Sequence, residues 1–186
     1  MTIETGTNPK GLIGLSQIEE DLVVAFPMSS VGHVGVRFLD RNELQTSVEI
    51  KACDSSVAHV ALNKEGTLLA TASEKGTLIR IFDTKTGNLL QEVRRGTKTA
   101  EIYSIVFDDN SNFIACTSDT GTVHIFSLAN AKKKLEGTQT STSFFGMLGG
   151  YITPKILNDE RSFASFYIPN VKSVATFGPD NNIIGK

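Results

Sequence analysis

Cysteine is scarce in this 186-residue chain, where Cys53 and Cys116 are the only two. Two are too few for a disulfide framework, and they suit a reducing compartment. Net charge is also nearly absent, at −2. That removes any general attraction to nucleic acid or to an anionic membrane, so anion binding has to be local. No apolar run approaches the roughly 18 residues of a membrane-crossing helix. The N-terminus carries Glu4 early and has no charged-then-apolar layout, which argues against a secretory signal. The chain therefore reads as soluble and cytosolic. Nucleophile–base pairings, metal-ligand spacings and phosphate-loop motifs are missing as well, so neither catalysis nor a metal or other cofactor is expected.

What is present is a succession of strand-length apolar runs separated by turns. Leu12 to Leu15, Asp21 to Phe26, Gly32 to Leu39 and Leu44 to Ile50 make one group of four. Val57 to Leu62, Leu68 to Ala72, Leu78 to Phe82 and Leu89 to Val93 make a second, and Ile102 to Phe107, Phe113 to Cys116 and Val123 to Phe126 begin a third. Turns such as Asn63-Lys64-Glu65-Gly66 and Asp108-Asp109-Asn110-Ser111 leave little room for a long helix. The pattern breaks after Leu128. Ala131 to Ile152 holds Lys132-Lys133-Lys134, a Thr/Ser run and then Phe144-Phe145-Gly146-Met147-Leu148-Gly149-Gly150-Tyr151. Arg161 to Ile168 returns to strand, and Val171 to Phe177 and Asn182 to Ile184 look like the opening strands of another group.

The groups repeat. Thr77 and Thr122 are 45 positions apart, as are Ser73 and Ser118, and a period near 45 built of short strands is the signature of a propeller blade. The expectation is an all-β, WD40-like β-propeller, with about three and a half blades in this chain. Rings close with roughly four to eight four-stranded blades, so a fragment of a longer propeller is favoured over completion by another chain. Val93-Arg94-Arg95-Gly96 lies at a junction between two blades. Successive strand residues point to opposite faces, which lets the two arginines serve two neighbouring pockets. Guanidinium forks suit phosphate because they donate two parallel charge-assisted hydrogen bonds.

Together, Ala70 to Arg80, Arg94-Arg95-Gly96 and Ser118 to Phe126 resemble the core of the PROPPIN family, seven-bladed propellers of the WIPI and autophagy-related protein 18 type. The resemblance extends from Asn8-Pro9-Lys10-Gly11-Leu12 to the end of the chain. It implies blade four over 1–52, blade five over 53–97, blade six over 98–170 with an inserted loop at 131–152, and the start of blade seven over 171–186. It also implies two rim pockets for phosphatidylinositol 3-phosphate and phosphatidylinositol 3,5-bisphosphate. The first would use Thr71, Ser73, Gly76, Thr77, Arg80 and Arg94, and the second Arg95, Ser118, Thr122 and His124. Hydroxyls and glycine amides can donate to phosphate oxygens, and arginine supplies the charge.

Two positions depart from the family pattern. The usual Ala-His-x-Ser segment reads Ala52-Cys53-Asp54-Ser55, so a histidine donor of the first pocket is replaced by Cys53. The residue opening the Arg-Arg-Gly motif is Val93, a change that touches packing only. The resemblance further makes 131–152 a membrane-dipping loop, with Phe144, Phe145, Met147 and Leu148 entering the bilayer and Lys132 to Lys134 near anionic headgroups. The implied partners are phosphoinositide membranes and other autophagy proteins, with recruitment to autophagosome precursor, endosomal or vacuolar membranes. The competing class is a generic WD40 protein-interaction scaffold that ignores lipid. On the bland alternative for individual residues, Arg80 is a buried ion pair with an acid, and His124, like His33 and His59, is structural.

Overall fold

Core strands here are either continuously buried, as in Leu68–Ser73, or alternate between buried and half-buried residues. In Leu78–Asp83, Ile79 and Ile81 are wholly buried while Leu78 and Arg80 are half-buried, as expected for a strand whose faces meet different neighbours. The computed structural model describes residues 5–18, 22–39, 46–137, 160–168, 172–178 and 183–185.

Three four-stranded antiparallel meanders and one two-stranded sheet follow in chain order. The first comprises β1 (Gly14–Leu15), β2 (Leu22–Pro27), β3 (His33–Leu39) and β4 (Thr46–Lys51). The second comprises β5 (Val57–Leu62), β6 (Leu68–Ser73), β7 (Leu78–Asp83) and β8 (Leu89–Arg94). In the third, β9 (Ile102–Phe107), β10 (Phe113–Ser118) and β11 (Thr122–Ser127) are followed by the helix α1 (Ala129–Leu135), and β12 (Ala164–Tyr167) then completes the sheet. The hairpin of β13 (Ala175–Phe177) and β14 (Ile183–Gly185) comes last. Sheets that meander from an inner to an outer strand and stack face to face are β-propeller blades.

Stacking is driven by two apolar layers. Val23, Ala25, Val34, Val36 and Ile50 of the first sheet pack on Val60, Leu69 and Phe82 of the second. Ile79, Ile81 and Val93 of the second sheet pack on Ile105, Ile114, Cys116 and Phe126 of the third. Each fully buried large side chain contributes about 1.5–3 kcal/mol over its exposed state. Val93 is 0% exposed, so the residue that opens the arginine motif is a core residue. Burial pushes the Cys116 thiol up to about 12, leaving it a packing group without thiolate chemistry.

The repeat extends to the turns. Asn63 Oδ1 accepts the Leu68 N–H at 2.8 Å, and Asp108 Oδ1 accepts the Phe113 N–H at 2.6 Å. Each closes the loop between the first two strands of its sheet. Asn63 also donates to Ser111 Oγ at 3.0 Å, joining the second sheet to the third.

Several boundaries differ from the sequence expectation. β1 is reduced to Gly14–Leu15, and the run expected over 161–168 is a strand only over Ala164–Tyr167. The start of the expected loop at 131–152 is helix α1, with Ala131 buried against the second sheet. Its N–H donates to Gln91 Oε1 at 2.9 Å. Lys132 to Lys134 in its last turn complement the helix dipole.

Candidate functional site

The two arginines diverge at the end of β8. Register places Arg94 opposite Leu78 and Glu92 opposite Arg80; since strand side chains alternate, Arg94, Glu92 and Arg80 share the face turned toward the first sheet. Arg95 goes the other way, into the junction between the second and third sheets, where it is 7% exposed. Its Nε donates to the Gly76 carbonyl, one Nη to the Lys98 carbonyl and the other to Thr120 Oγ1 at 3.4 Å. Thr120 Oγ1 in turn lies 2.8 Å from Ser118 Oγ. None of these partners is a carboxylate, and among the described residues no ion pair includes Arg95. Its positive charge is therefore oriented but not cancelled.

His124 on β11 joins this cluster. Its Nδ1 lies 3.5 Å from Ser162 Oγ, and its ring stacks near Phe126. Burial lowers its pKa, and the Arg95 charge lowers it further. Thr122 lies two residues before it on the same strand, hence on the same face. The structure thus gathers Arg95, Ser118, Thr122 and His124 around one junction and adds Thr120. Sequence reading missed Thr120, although it stands 45 positions after Lys75 in the repeated turn.

The other cluster is built differently. Arg80 Nε donates to Glu92 Oε2 at 2.6 Å, and its Nη1 reaches the Ala52 carbonyl at 3.3 Å. This is the acidic-partner arrangement stated above as the bland alternative for Arg80, and Glu92 was not anticipated. The available signal was that Glu92 is the only acid on β8. Thr71 is buried beside Arg80 in cross-strand register, and Ser73 follows on the same face. Arg80 approaches the segment holding Cys53, whose thiol donates to the Ser55 carbonyl; burial raises the Cys53 pKa. The Gly76 N–H donates to Ser73 O at 2.8 Å, and the Thr77 carbonyl accepts from the Arg95 and Gly96 amides. Gly76 thus acts through its carbonyl on Arg95, and its amide is not the free donor expected from the sequence.

Lys132 Nζ donates to the Asn110 carbonyl and Asn112 Oδ1, and Lys134 Nζ to the Leu90 carbonyl. Two of the three lysines expected near headgroups are thus drawn back onto the sheets. Phe144, Phe145, Met147 and Leu148 lie outside the described residues. Glu160, where the chain returns, accepts from Gln91 and Asn130 side chains, and its carbonyl accepts the Arg94 N–H at 2.9 Å.

These environments give two expected results. Replacing Glu92 by Gln releases the Arg80 charge, so in an Arg95→Ala background inorganic phosphate should bind several-fold tighter by calorimetry. Stability should fall by about 1–3 kcal/mol with the loss of the pair. The second concerns pH. His124 and His59, the latter lowered chiefly by burial, sit below the usual 6.5. Above pH 6.5 both are neutral in the folded and unfolded chain alike, and nothing is lost. As pH falls below 6.5 the unfolded chain takes up protons first, so stability declines progressively down through the two folded pKa values. Melting curves between pH 7.5 and 5 (roughly the window in which histidine titrates) should show that decline. An anion bound beside Arg95 should raise the His124 pKa in an NMR titration.

Comparison with known proteins places this geometry among relatives. The pattern defining the PROPPIN family matches residues 1–159. Autophagy-related protein 18e of Arabidopsis thaliana is 42% identical over 184 residues, covering 98% of this chain and 47% of that protein. WD repeat domain phosphoinositide-interacting protein 2 of Xenopus laevis is 39% identical over 188 residues, covering 93% of this chain and 43% of that protein. Among solved structures, Kluyveromyces lactis Hsv2 with a complete loop 6CD superposes with a TM-score of 0.68 at 27% identity, over 90% of this chain and 48% of that one. The chain spans about half the length of these relatives.

Proposed function

This chain belongs to the PROPPIN family, and from that premise we propose that it is the phosphoinositide-binding portion of a membrane adaptor acting in autophagy and endolysosomal traffic. Phosphatidylinositol 3-phosphate and phosphatidylinositol 3,5-bisphosphate are the proposed lipids, and autophagosome precursor, endosomal or vacuolar membranes the proposed sites of recruitment. Other autophagy proteins of the lipid-transfer or conjugation machinery are the proposed partners. Residues 1–52, 53–97 and 98–170 are read as blades four, five and six, and 171–186 as the start of blade seven.

One observation carries the reading. A buried guanidinium, Arg95, is held by two carbonyls and a hydroxyl, and no carboxylate among the described residues neutralises it. Around it stand the hydroxyls of Ser118, Thr120 and Thr122 and the ring of His124. Buried charge is costly unless paired, and a phosphate monoester reached from the rim supplies the missing countercharge while accepting from the same donors. Arg80, already paired to Glu92, makes the first cluster the weaker of the two.

The test is sedimentation with phosphatidylcholine vesicles carrying either lipid, against vesicles of phosphatidylcholine alone and vesicles with phosphatidylserine at matched charge. Preference for the phosphoinositide vesicles supports the proposal. Indifference to phosphoinositide content returns the chain to the class of WD40 protein-interaction scaffolds.

A further inference from the structure

Gln91 is a buried amide within β8, and both its amide hydrogens and its carbonyl are engaged. Its Nε2 donates to the Ser127 carbonyl at 2.8 Å and to Glu160 Oε2 at 2.5 Å, while its Oε1 accepts the Ala131 N–H at 2.9 Å. Glu160 uses both carboxylate oxygens in turn, since Asn130 Nδ2 donates to its Oε1. Among the described residues no ion pair includes Glu160. Hydrogen bonds to an ionised acceptor are roughly twice as strong as neutral ones, so the two amides clasp it firmly.

What the clasp fastens is the stretch 160–163, which crosses from one sheet to the next. At its start Glu160 forms a parallel bridge with Val93, and its carbonyl accepts the Arg94 N–H at 2.9 Å. Two residues on, Ser162 Oγ lies 3.5 Å from His124 Nδ1. The Phe163 N–H then donates to the Ile125 carbonyl at 2.7 Å. The stretch is thus a strap between the outer strand of the second sheet and β11 of the third. Those strands carry Arg94 and His124, and Arg95 directly follows the first of them. Four residues reach at most about 14 Å, so the strap caps how far the end of β8 and β11 can part.

We propose that Gln91 and Glu160 are positioning residues for phosphate recognition, whose clasp anchors the strap and so sets the gap between the arginine-bearing end of β8 and His124. The inference rests on the phosphoinositide reading of the Arg95 junction and deepens it. Neither residue touches the phosphate. A guanidinium and an imidazole serve one phosphate only at a fixed separation, and a site about 1 Å too loose loses much of its binding. The bonds from Arg95 to the Gly76 and Lys98 carbonyls do not involve the clasp. Opening it therefore costs affinity while the arginine stays anchored to its own sheet.

Glu160→Ala removes the clasp, whereas Glu160→Gln keeps it once the Asn130 amide turns over to accept from the new Nε2. Both variants lose the same charge, so the contrast between them isolates the clasp. The probe is soluble inositol 1,3-bisphosphate, titrated at a temperature where melts show every variant folded. Glu160→Ala should bind it about fivefold more weakly than Glu160→Gln, and Gln91→Leu should match the Ala variant. In the Ala variant the Arg94 amide should exchange with solvent faster and the His124 ring resonances should move. In the Gln variant both should stay near those of the unsubstituted protein. Equal affinities of the Ala and Gln variants overturn the positioning role and leave the phosphoinositide reading standing. So does a weaker affinity with no change at Arg94 or His124, or a lower melting temperature with affinity unchanged. If the unsubstituted protein binds no headgroup, the phosphoinositide reading falls and the positioning role falls with it.

Discussion

Substituting Arg95 by Ala is expected to weaken binding of a soluble phosphoinositide headgroup about ten- to a hundredfold, because a hydrogen bond to a charged group contributes about 1.5–3 kcal/mol. The same change should lower the melting temperature, since Arg95 links the Gly76 and Lys98 carbonyls to Thr120 across two sheets. Arg95→Lys separates the two effects. It keeps the charge but lacks the planar fork, so it should restore part of the affinity and little of the stability. Arg80→Ala should cost much less affinity, because Glu92 already neutralises that guanidinium. Headgroup titration and thermal melts of the three variants provide the measurement. Equal affinity losses from Arg80→Ala and Arg95→Ala would remove the asymmetry between the clusters. No loss from either would remove the lipid reading. Beyond the histidine donor that the resemblance implies and Cys53 replaces, the carboxylate of Glu92 gives the first cluster a second reason to bind more weakly.

The second large effect is on stability. Gly76→Ala should destabilise the protein by about 2–4 kcal/mol. Gly76 sits at φ +59°, and an added Cβ would lie 2.0 Å from the Ala100 carbonyl. Left-handed backbone costs a non-glycine residue about 1–2 kcal/mol. The clash is with backbone and cannot be relieved by a rotamer, so the linker between the second and third sheets must move. That movement also pulls the Gly76 carbonyl from Arg95. Gly96→Ala is the control: a Cβ there meets nothing within 4 Å, and the expected change stays within about 0.5 kcal/mol. Denaturant midpoints that shift equally for both variants would show that the Gly76 contact holds nothing together.

Much of the fold was legible because strand signals are local. The four runs expected between Val57 and Val93 are β5 to β8 with ends moved by no more than one residue. Their alternation and turn residues act over a few positions, and the repeat of 45 confirms each turn with another. Legibility fails where the deciding contact is distant. Residues 129–135 are mostly good helix formers, Ala, Lys and Leu, but seven residues are too few to form a stable helix alone. What holds Ala131 is Gln91, 40 positions earlier in the chain.

The sequence by itself determined that this is an all-β repeat protein, that its hydroxyls recur in register, and that Arg94 and Arg95 face opposite ways. Those properties follow from the two-residue period of a strand, which needs no partner. Only the tertiary structure decided which arginine keeps its charge. Arg80 inside β7 and Arg95 just past β8 are the same side chain, but cross-strand register sets Glu92 opposite one, and among the described residues sheet stacking gives the other carbonyls and a hydroxyl. Charge cancellation depends on a separation of a few ångströms between atoms 12 to 25 residues apart, and that separation exists only once the sheets have paired and packed.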